Sequence, residues 1–562
     1  MKKYRWQLLI LFLTGLLVGI LLILEKRGGF GRVGELQPVQ GGVYTEALIG
    51  NLSRLNPLLD SNNQVDRDID RLIFSGLVRF DSRGMPEPDL ADAIRISQDG
   101  ILYNITLKDD LTWHDGQPLT TADVNFTIDL MKEGQGYIPD DLVALWKEIK
   151  VVVIDDLNMQ LILPEAFAPF QDYLAFGLLP SHLLGDLSIA EIANAEFNLN
   201  PIGSGPFQFS RLIVEDGQIM GLSLVAFEGY VHSAPFLEEI NFRYYPDAQS
   251  AYQAYLDKYV QGISEIPYSL MPTAIQNNDL AIYTGRLPQL SMVMFNLNDQ
   301  GVPFFQDADI RKALLLGINR QKMINQVFNG QAIVADGVIF PGNWAFSDSI
   351  PSYEYDIEQA KMLIKEAGYV VTGDENPVRM NEEIEFKFVL SYPDDELHRV
   401  IAESIKSDWK KLDIEVILEP IPSDLFISDK LAPRAFQAAL VDIDLSGTPD
   451  PDPYPFWDSG QATNGQNYSQ WSNRIASDTI EQARVTTNFE ERIRLYHNFQ
   501  EIFSRELPSL PLFFPVYSYG VDKTINGISF GPLMDISDRF STVNLWNMIE
   551  RRTQVTSTPA DQ

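Results

Sequence analysis

The chain has 562 residues, 45% of them hydrophobic, and its 43 basic and 77 acidic side chains give a formal net charge of −34. This length predicts more than one domain, about three by the usual domain size, and the hydrophobic content is sufficient for a large core. The excess of acid argues against a nucleic-acid partner, and the absence of cysteine excludes disulfides, thiolate metal sites and cysteine-based catalysis.

The N-terminal 27 residues combine basic side chains with a long apolar run. Three basic residues, the last of them Arg5, precede the run from Leu8 to Leu24. A helix over 6–24 would rise about 28 Å, enough to cross the hydrocarbon core of a bilayer. No small-residue cleavage site follows Leu24, which favours an uncleaved membrane anchor (residues 1–27) over a cleaved signal segment.

A linker connects this segment to the globular body. Residues 28–40 are rich in glycine and show neither a helical nor a strand period, so they are predicted to be flexible. The body begins near Gly41-Gly42-Val43-Tyr44. The polar residues 551–562 are predicted to form a flexible tail.

A strand, a tight turn and a capped helix are predicted between residues 103 and 126. Tyr103–Lys108 alternates apolar and polar residues, as a half-buried strand does. Trp113-His114-Asp115-Gly116 then supplies a turn in which Gly116 is free to adopt positive φ. Thr120 or Thr121 is placed to cap the following helix. The five histidines form no i,i+4 pair, so no metal site is expected, and His114 is expected to order its own turn.

Strands and helices alternate over most of the remaining chain. Strands are predicted at 222–227, 240–245, 290–297, 384–390 and 414–418, and helices at 247–258, 309–318, 356–366, 398–412 and 490–504. Asp356 is expected to cap the third of these helices, and Gly368 to end it. This alternation favours α/β domains.

Two further segments have distinctive residues. Pro201–Phe207 contains Gly203, Gly205 and two prolines, which mark a sharp change of direction. The helix at 309–318 has apolar residues at core-facing spacing, and Ile318-Asn319-Arg320 is expected to close it.

Acidic residues concentrate between positions 442 and 452. Asp442 and Asp444 follow the apolar residues 438–440, and Asp450 and Asp452 lie among three prolines. Alternating acids at a strand end point to the same side. Such carboxylates at a domain cleft would bind a ligand's ammonium group, whereas the alternative is a solvated loop with acid-capped turns. The sequence favours neither.

These blocks resemble those of the family 5 extracellular solute-binding proteins, the peptide- and nickel-type receptors of ABC importers. The signature residues are Trp113, His114, Asp115, Gly116, Gly203, Gly205, Arg311 and Arg320. Residues 355–369 match another block of the family, while Asn319 stands where the family usually has aspartate. The resemblance spans roughly Gly41 to Trp546.

The resemblance implies a two-lobed α/β fold of the periplasmic-binding-protein type (type II), in its three-subdomain family 5 form and with an N-terminal transmembrane helix. Lobe I is expected at 41–80, 202–289 and 515–550, with an inserted subdomain at 81–201, and lobe II at 290–514. Chain crossings near 286–289 and 511–517 would form the hinge.

The implied function is capture of a ligand between the lobes by hinge closure and delivery to the permease of an ABC importer. Neither catalysis nor a cofactor is expected. The protein is expected to be a monomer, anchored outside the cytoplasm. Oligopeptides are the leading ligand class because most of the family binds them, and nickel chelates, sugars and haem are alternatives. The rival functions are a peptide-sensing receptor without transport and an exported hydrolase.

The family also suggests ligand-contacting residues. In its peptide receptors, an aspartate three residues before an Asp-Pro-Asp-like segment pairs with the peptide's α-amine. Anchored on residues 450–452, that position is Gly447 here, so Asp442 or Asp444 is expected to substitute. The other candidate cleft residues are Trp344, Asn464, Asn467 and Tyr468.

Overall fold

The computed structural model describes Thr14 and residues 36–552, apart from 82, 373–377, 383, 447, 448 and 532. The predicted membrane anchor, except for Thr14, and most of the predicted linker and tail lie outside the described residues. Within the described part, no helix has the length and apolar character needed to cross a membrane.

The secondary structure alternates strands and helices, as predicted for α/β domains. Strands β1 to β23 are Leu36–Pro38, Val43–Ile49, Val78–Phe80, Pro86–Pro88, Ala91–Ile96, Leu102–Leu107, Lys150–Val153, Asn158–Ile162, Phe207–Glu215, Gln218–Ala226, Glu239–Tyr245, Gly262–Ile263, Leu280–Arg286, Gln289–Phe295, Ala332–Val334, Val370–Thr372, Val378–Asn381, Ile384–Glu385, Lys387–Pro393, Glu415–Ile421, Ala438–Asp444, Ser509–Asp522 and Glu550–Arg552. Helices α1 to α14 are Gln64–Ile73, Thr121–Lys132, Asp140–Glu148, Ser181–Leu184, Ile189–Ile192, Ala248–Leu256, Met271–Ala274, Ala308–Leu316, Arg320–Val327, Ile357–Glu366, Glu396–Lys410, Tyr454–Trp457, Arg474–Val485 and Phe489–Glu506.

One sheet of twelve strands has two halves, which we call lobe I and lobe II after the predicted lobes that contain them, and the long strand β22 belongs to both halves. The first part of β22 pairs with β14 and β15, in lobe II, and its last part pairs with β12 and β13, in lobe I. Since β13 ends at Arg286 and β14 begins at Gln289, the chain crosses between the halves at two adjacent places.

Residues of the predicted lobe I form two cores, and the larger one also contains residues of the predicted inserted subdomain. In the lobe I half of the sheet, β2 lies between β12 and β11, followed by β10 and β9. The inserted subdomain has its own four-stranded sheet, in the order β5-β6-β8-β7, and buries Trp113, Trp146 and Phe170 in the core that also contains Tyr44 and Trp546. The inserted subdomain is therefore fixed to the rest of lobe I by shared apolar contacts.

Lobe II has a separate core on each face of its sheet. Strand β21 alternates between them: Ala438 and Leu440 face the core built with α8 to α11, while Ala439 and Val441 face the core built with α13 and α14. Because side chains alternate along a strand, Asp442 lies on the same side of the sheet as Ala438 and Leu440, which is the side of α11.

Two local features differ from the sequence-based expectations. Ile318-Asn319-Arg320 does not close a helix: α8 ends at Leu316, and Asn319 caps the new helix α9. Strand β1 lies in the predicted linker, yet it pairs with β23 at the other end of the body.

Candidate functional site

The strand, turn and helix around His114 form as predicted. Gly116 has a φ of +82°, and the side chain of Thr120 caps α2 while the Asp123 carboxylate accepts a hydrogen bond from the Thr120 N–H. His114 Nδ1 accepts from the Gly203 N–H at 3.1 Å, and Nε2 donates to the Gly205 carbonyl at 3.1 Å. These two contacts require the neutral imidazole, and burial lowers the pKa of His114 to about 4.

The two signature glycines lie against the end of α1. A Cβ built on Gly203 would come within 2.0 Å of the Ile73 carbonyl oxygen, and one on Gly205 within 2.4 Å of the Leu72 carbonyl oxygen. Only glycine fits such an approach. Together with His114, these glycines form a structural joint between the inserted subdomain and the rest of lobe I.

The side chains of the signature arginines donate hydrogen bonds mainly to backbone carbonyl groups of the protein itself. Arg311 is buried and donates to the carbonyl oxygens of Phe305, Glu506 and Leu507, the last at 2.8 Å. Arg320 is buried too, and its guanidinium donates to four acceptors. These are the carbonyl oxygens of Ala335, Pro511 and Tyr353 and the carboxylate of Asp336. Both arginines thus satisfy orphan carbonyl groups at element ends near the start of β22.

Asp442 is engaged by the protein's own side chains. Its carboxylate accepts from the Ser291 hydroxyl and lies 3.1 Å from His398 Nε2, while His398 Nδ1 lies 2.7 Å from Asp395. Burial works to lower the pKa of His398, but its hydrogen bonds to the two carboxylates outweigh burial and raise it. Burial likewise works to raise the pKa of Asp442, and the bonds from His398 and Ser291 lower it. Asp442 is therefore held by Ser291 and His398.

Asp444 is exposed, as Asp442 is, but among the described residues its carboxylate accepts a hydrogen bond only from nearby backbone. It lies on the same exposed face of β21 as Asp442, opposite Gln289 at the chain crossing, and its carboxylate accepts from the Ser446 N–H at 2.8 Å. Asn464 is exposed as well. These two predicted residues have side chains that a ligand can reach.

Trp344, Asn467 and Tyr468 are held by packing. The Trp344 ring lies 4.6 Å from Phe489, and Asn467 is buried, with its amide bonded to the backbone of its own loop. The ring of Tyr468 lies 5.2 Å from the Arg434 guanidinium. Trp344 and Tyr468 pack against the core on one face of β21, whereas Asp442 lies on the other face.

Asp450 contributes to a junction between the lobes. Its carboxylate pairs with Arg492 and accepts from Tyr496 at 2.8 Å, all three being buried. Its N–H donates to the carboxylate of Asp172, in the inserted subdomain, at 2.7 Å. Burial and the neighbouring Asp450 raise the pKa of Asp172. Nearby, Arg484 pairs with Asp452 at 3.1 Å.

Sequence reasoning missed Asp172 and also a cavity in lobe I that contains Asp60 and Asp70. Acids recur in α1 at positions 66, 68 and 70, and all three are buried. Three buried carboxylates on one short helix require hydrogen-bond or ion-pair partners. The recurrence of these acids was the signal in the sequence that could have pointed to them. Arg539 supplies one such partner, at 2.7 Å from Asp68.

The chain was compared with known families and structures. The model of the family described as "Bacterial extracellular solute-binding proteins, family 5 Middle" matches residues 85–466. The oligopeptide-binding protein AppA of Bacillus subtilis is 26% identical over 510 residues, which are 89% of this chain and 91% of AppA. The dipeptide-binding protein of Escherichia coli is 27% identical over 469 residues, 79% of this chain and 84% of that protein. The structure of HbpA2 from Haemophilus parasuis superposes with a TM-score of 0.77 at 21% identity, covering 87% of this chain and 97% of HbpA2.

Proposed function

The chain belongs to the family 5 bacterial extracellular solute-binding proteins, and on that premise we propose that it captures an oligopeptide between lobe I and lobe II and delivers it to an ABC importer. Proteins of this family are binding proteins, not enzymes, and they act outside the cytoplasm. The α/β architecture of the described residues is of the periplasmic-binding-protein type.

The arrangement of β22 is the observation that supports capture by hinge closure. A single strand pairs with both halves of the sheet, and the crossing from β13 to β14 lies beside it. Because the cores of the two lobes are separate except for Met534, which packs into a lobe II core, a bend at these crossings requires little repacking. This is the geometry that hinged domain closure needs.

Peptides are the proposed ligand class because of the relatives. AppA and the E. coli protein are named for oligopeptide and dipeptide binding, and each matches more than three quarters of this chain. Nickel chelates, sugars and haem are the alternatives. Accessible Asp444 and Asn464 are proposed as ligand contacts in lobe II, with Trp344, Asp442, Asn467 and Tyr468 shaping the surface beside them.

Native mass spectrometry of the purified protein tests this proposal. We expect a peptide mass to accompany the protein, and adding that peptide to ligand-free protein should raise Tm, because a ligand that binds only the folded state stabilises it by mass action. A bound chelate, sugar or haem would replace the peptide assignment. If peptides at millimolar concentration leave Tm unchanged, peptide capture is contradicted.

We also propose that residues 1–27 remain attached as a membrane anchor. The support is the apolar run long enough to span a bilayer, without a cleavage site after it. The full chain should fractionate with membranes, and a variant lacking residues 1–27 should not. N-terminal sequencing of the membrane form should find the start intact, and a mature chain that begins after Leu24 would contradict the anchor.

A further inference from the structure

Lobe I contains a cavity of about 280 Å³ beside α1, which we call the α1 cavity. Its wall combines residues of α1, the turn at 175–177 and the C-terminal segment 534–544. Met534 lines it and also packs into a core of lobe II, and the turn follows Asp172, which binds the lobe II backbone at Asp450. The α1 cavity therefore lies on the side of lobe I that faces lobe II.

The cationic side chains in the wall are already paired with acids. These pairs are Arg67–Asp535, Arg71–Asp538 and Arg79–Glu87, with N···O distances of 3.1, 3.0 and 3.6 Å. Asp89 of the wall lies 2.7 Å from His232, which is outside the wall. Two carboxyl groups of the wall, those of Asp60 and Asp70, have no ion-pair partner among the described residues. The cavity therefore has an uncompensated excess of acid.

Asp70 has an orphan oxygen. Its residue is 3% exposed, Oδ2 accepts from the Asn56 N–H at 3.0 Å, and Oδ1 has no hydrogen-bond partner in the described part of the chain. The two preceding acids of α1 differ in this respect. Asp66 accepts from two backbone N–H groups, and Asp68 pairs with Arg539. A buried carboxylate oxygen left unpaired is costly, which points to a partner that enters the cavity.

Asp60 is in a similar position. No other described residue donates a hydrogen bond to its side chain. Burial raises the pKa of Asp60 to about 8; Arg67 works against this rise, whereas Asp535 and Asp66 add to it. Burial raises the pKa of Asp70 as well, and the charge of Asp60 raises it further. Both residues line the same cavity, and a cation beside their carboxyl groups would favour the ionised forms.

We infer that the α1 cavity binds a primary ammonium group of the ligand between the carboxyl groups of Asp60 and Asp70. A primary ammonium has three N–H donors, which match the free Oδ1 of Asp70 and the Asp60 carboxylate. The inference rests on the proposed function, because the ligand reaches the cavity from the space between the lobes. The ammonium comes either from a peptide N-terminus or from a lysine side chain.

A small-molecule experiment on the full-length protein tests the site directly. The probes are n-butylammonium chloride and tetramethylammonium chloride at equal ionic strength, followed by thermal unfolding. Both carry one charge, but only butylammonium has N–H donors. We expect butylammonium to raise Tm and tetramethylammonium to leave it unchanged. Asp60→Asn and Asp70→Asn should weaken its apparent affinity at least about tenfold, since each charge-assisted hydrogen bond contributes that much or more. Asp186→Asn, an exposed acid elsewhere in lobe I, is the matched control and should keep the effect.

Equal shifts from the two cations in the wild type would overturn the inference, as would a full shift in both asparagine variants. Circular dichroism and Tm without the probe establish that each variant folds. If Asp70→Asn does not fold, Asp60→Asn at the less buried edge decides the question. A retained butylammonium effect with no binding of any peptide would contradict the proposed peptide function and still support the ammonium site.

Peptide probes identify the source of the ammonium. Ala-Lys-Ala is compared with its N-acetylated form and with Ala-norleucine-Ala, on the wild type and on Asp60→Asn. If the N-terminus occupies the cavity, acetylation should remove the difference between the two proteins. If lysine occupies it, norleucine should remove that difference. A difference that persists with both modified peptides contradicts an ammonium in the cavity.

Discussion

At the scale of single residues, the neutral imidazole of His114 links stability to pH. The pKa of His114 is lowered to about 4 by burial, whereas an unfolded histidine titrates near 6.5. The folded state therefore binds fewer protons between these values. The stabilising contribution of neutral His114 to folding is complete above pH 6.5 and is lost as the pH falls toward 4.

We expect His114→Gln to reduce this acid sensitivity. Glutamine can accept from the Gly203 N–H and donate to the Gly205 carbonyl, but it does not titrate. Between pH 8 and pH 5, the free energy of unfolding should fall by about 2 kcal/mol more in the wild type than in the variant. Urea denaturation at the two pH values measures this difference. Parallel losses in both proteins would show that His114 is not the titrating group.

Asp442 illustrates what a local pattern can and cannot predict at this scale. The alternation along β21 correctly indicates that Asp442 and Asp444 share an exposed face. The partners of Asp442 are Ser291 and His398, which lie 151 and 44 residues away along the chain. The pattern of residues within 438–453 therefore could not predict these partners. The role of Asp442 as a ligand contact stays a prediction, as does that of Asp444, whose carboxylate is bonded only to nearby backbone among the described residues.

At the scale of elements, helix caps and ends were predicted well where they depend on a few neighbouring residues. Asp356 caps α10 and Gly368 follows its end with a φ of +91°, since both features depend on neighbouring residues. The boundary between α8 and α9 was not predicted. The buried Ile318 continues the apolar period of α8 into the turn, so the pattern does not show that the helix has ended. The β1–β23 pairing also escaped prediction, because it joins the two ends of the body.

The N-cap of α9 provides a test of this boundary. The Asn319 side chain accepts from the Lys322 N–H at 2.9 Å, so Asn319→Ala should lower the free energy of unfolding by about 1 kcal/mol. Gln326→Ala, at an exposed position of the same helix, is the control and should change stability by less than about 0.5 kcal/mol. Equal effects of the two substitutions, in chemical denaturation, would contradict a helix start at this residue.

At the scale of the whole molecule, the lobes meet through the strands that cross between them and through polar and apolar contacts, such as the Tyr268 ring 5.6 Å from Phe328. Arg286 donates to the Pro341 carbonyl at 2.6 Å near the crossing, and Asp172 joins Asp450 at the inserted subdomain. The lobes were predicted from the resemblance to a family and not from local periodicity. Strand β22 pairs with strands more than 200 residues earlier, and local periodicity does not predict such pairing. Relative motion of the lobes about the crossing strands is the expectation that follows from the proposed function.

The absence of cysteine allows that motion to be measured with two introduced labels. Spin labels at Glu228→Cys in lobe I and Glu481→Cys in lobe II, both exposed, report the distance between the lobes. With the peptide that accompanies the protein, the distance distribution should shift and narrow, because a ligand held by both lobes favours one closed arrangement. A pair within lobe II, Ser428→Cys with Glu481→Cys, should stay unchanged. If calorimetry shows saturation while the inter-lobe distances remain those of the free protein, the peptide is bound without closure. The two crossings, β22 and the β13–β14 connection, would then be a rigid connection instead of a hinge.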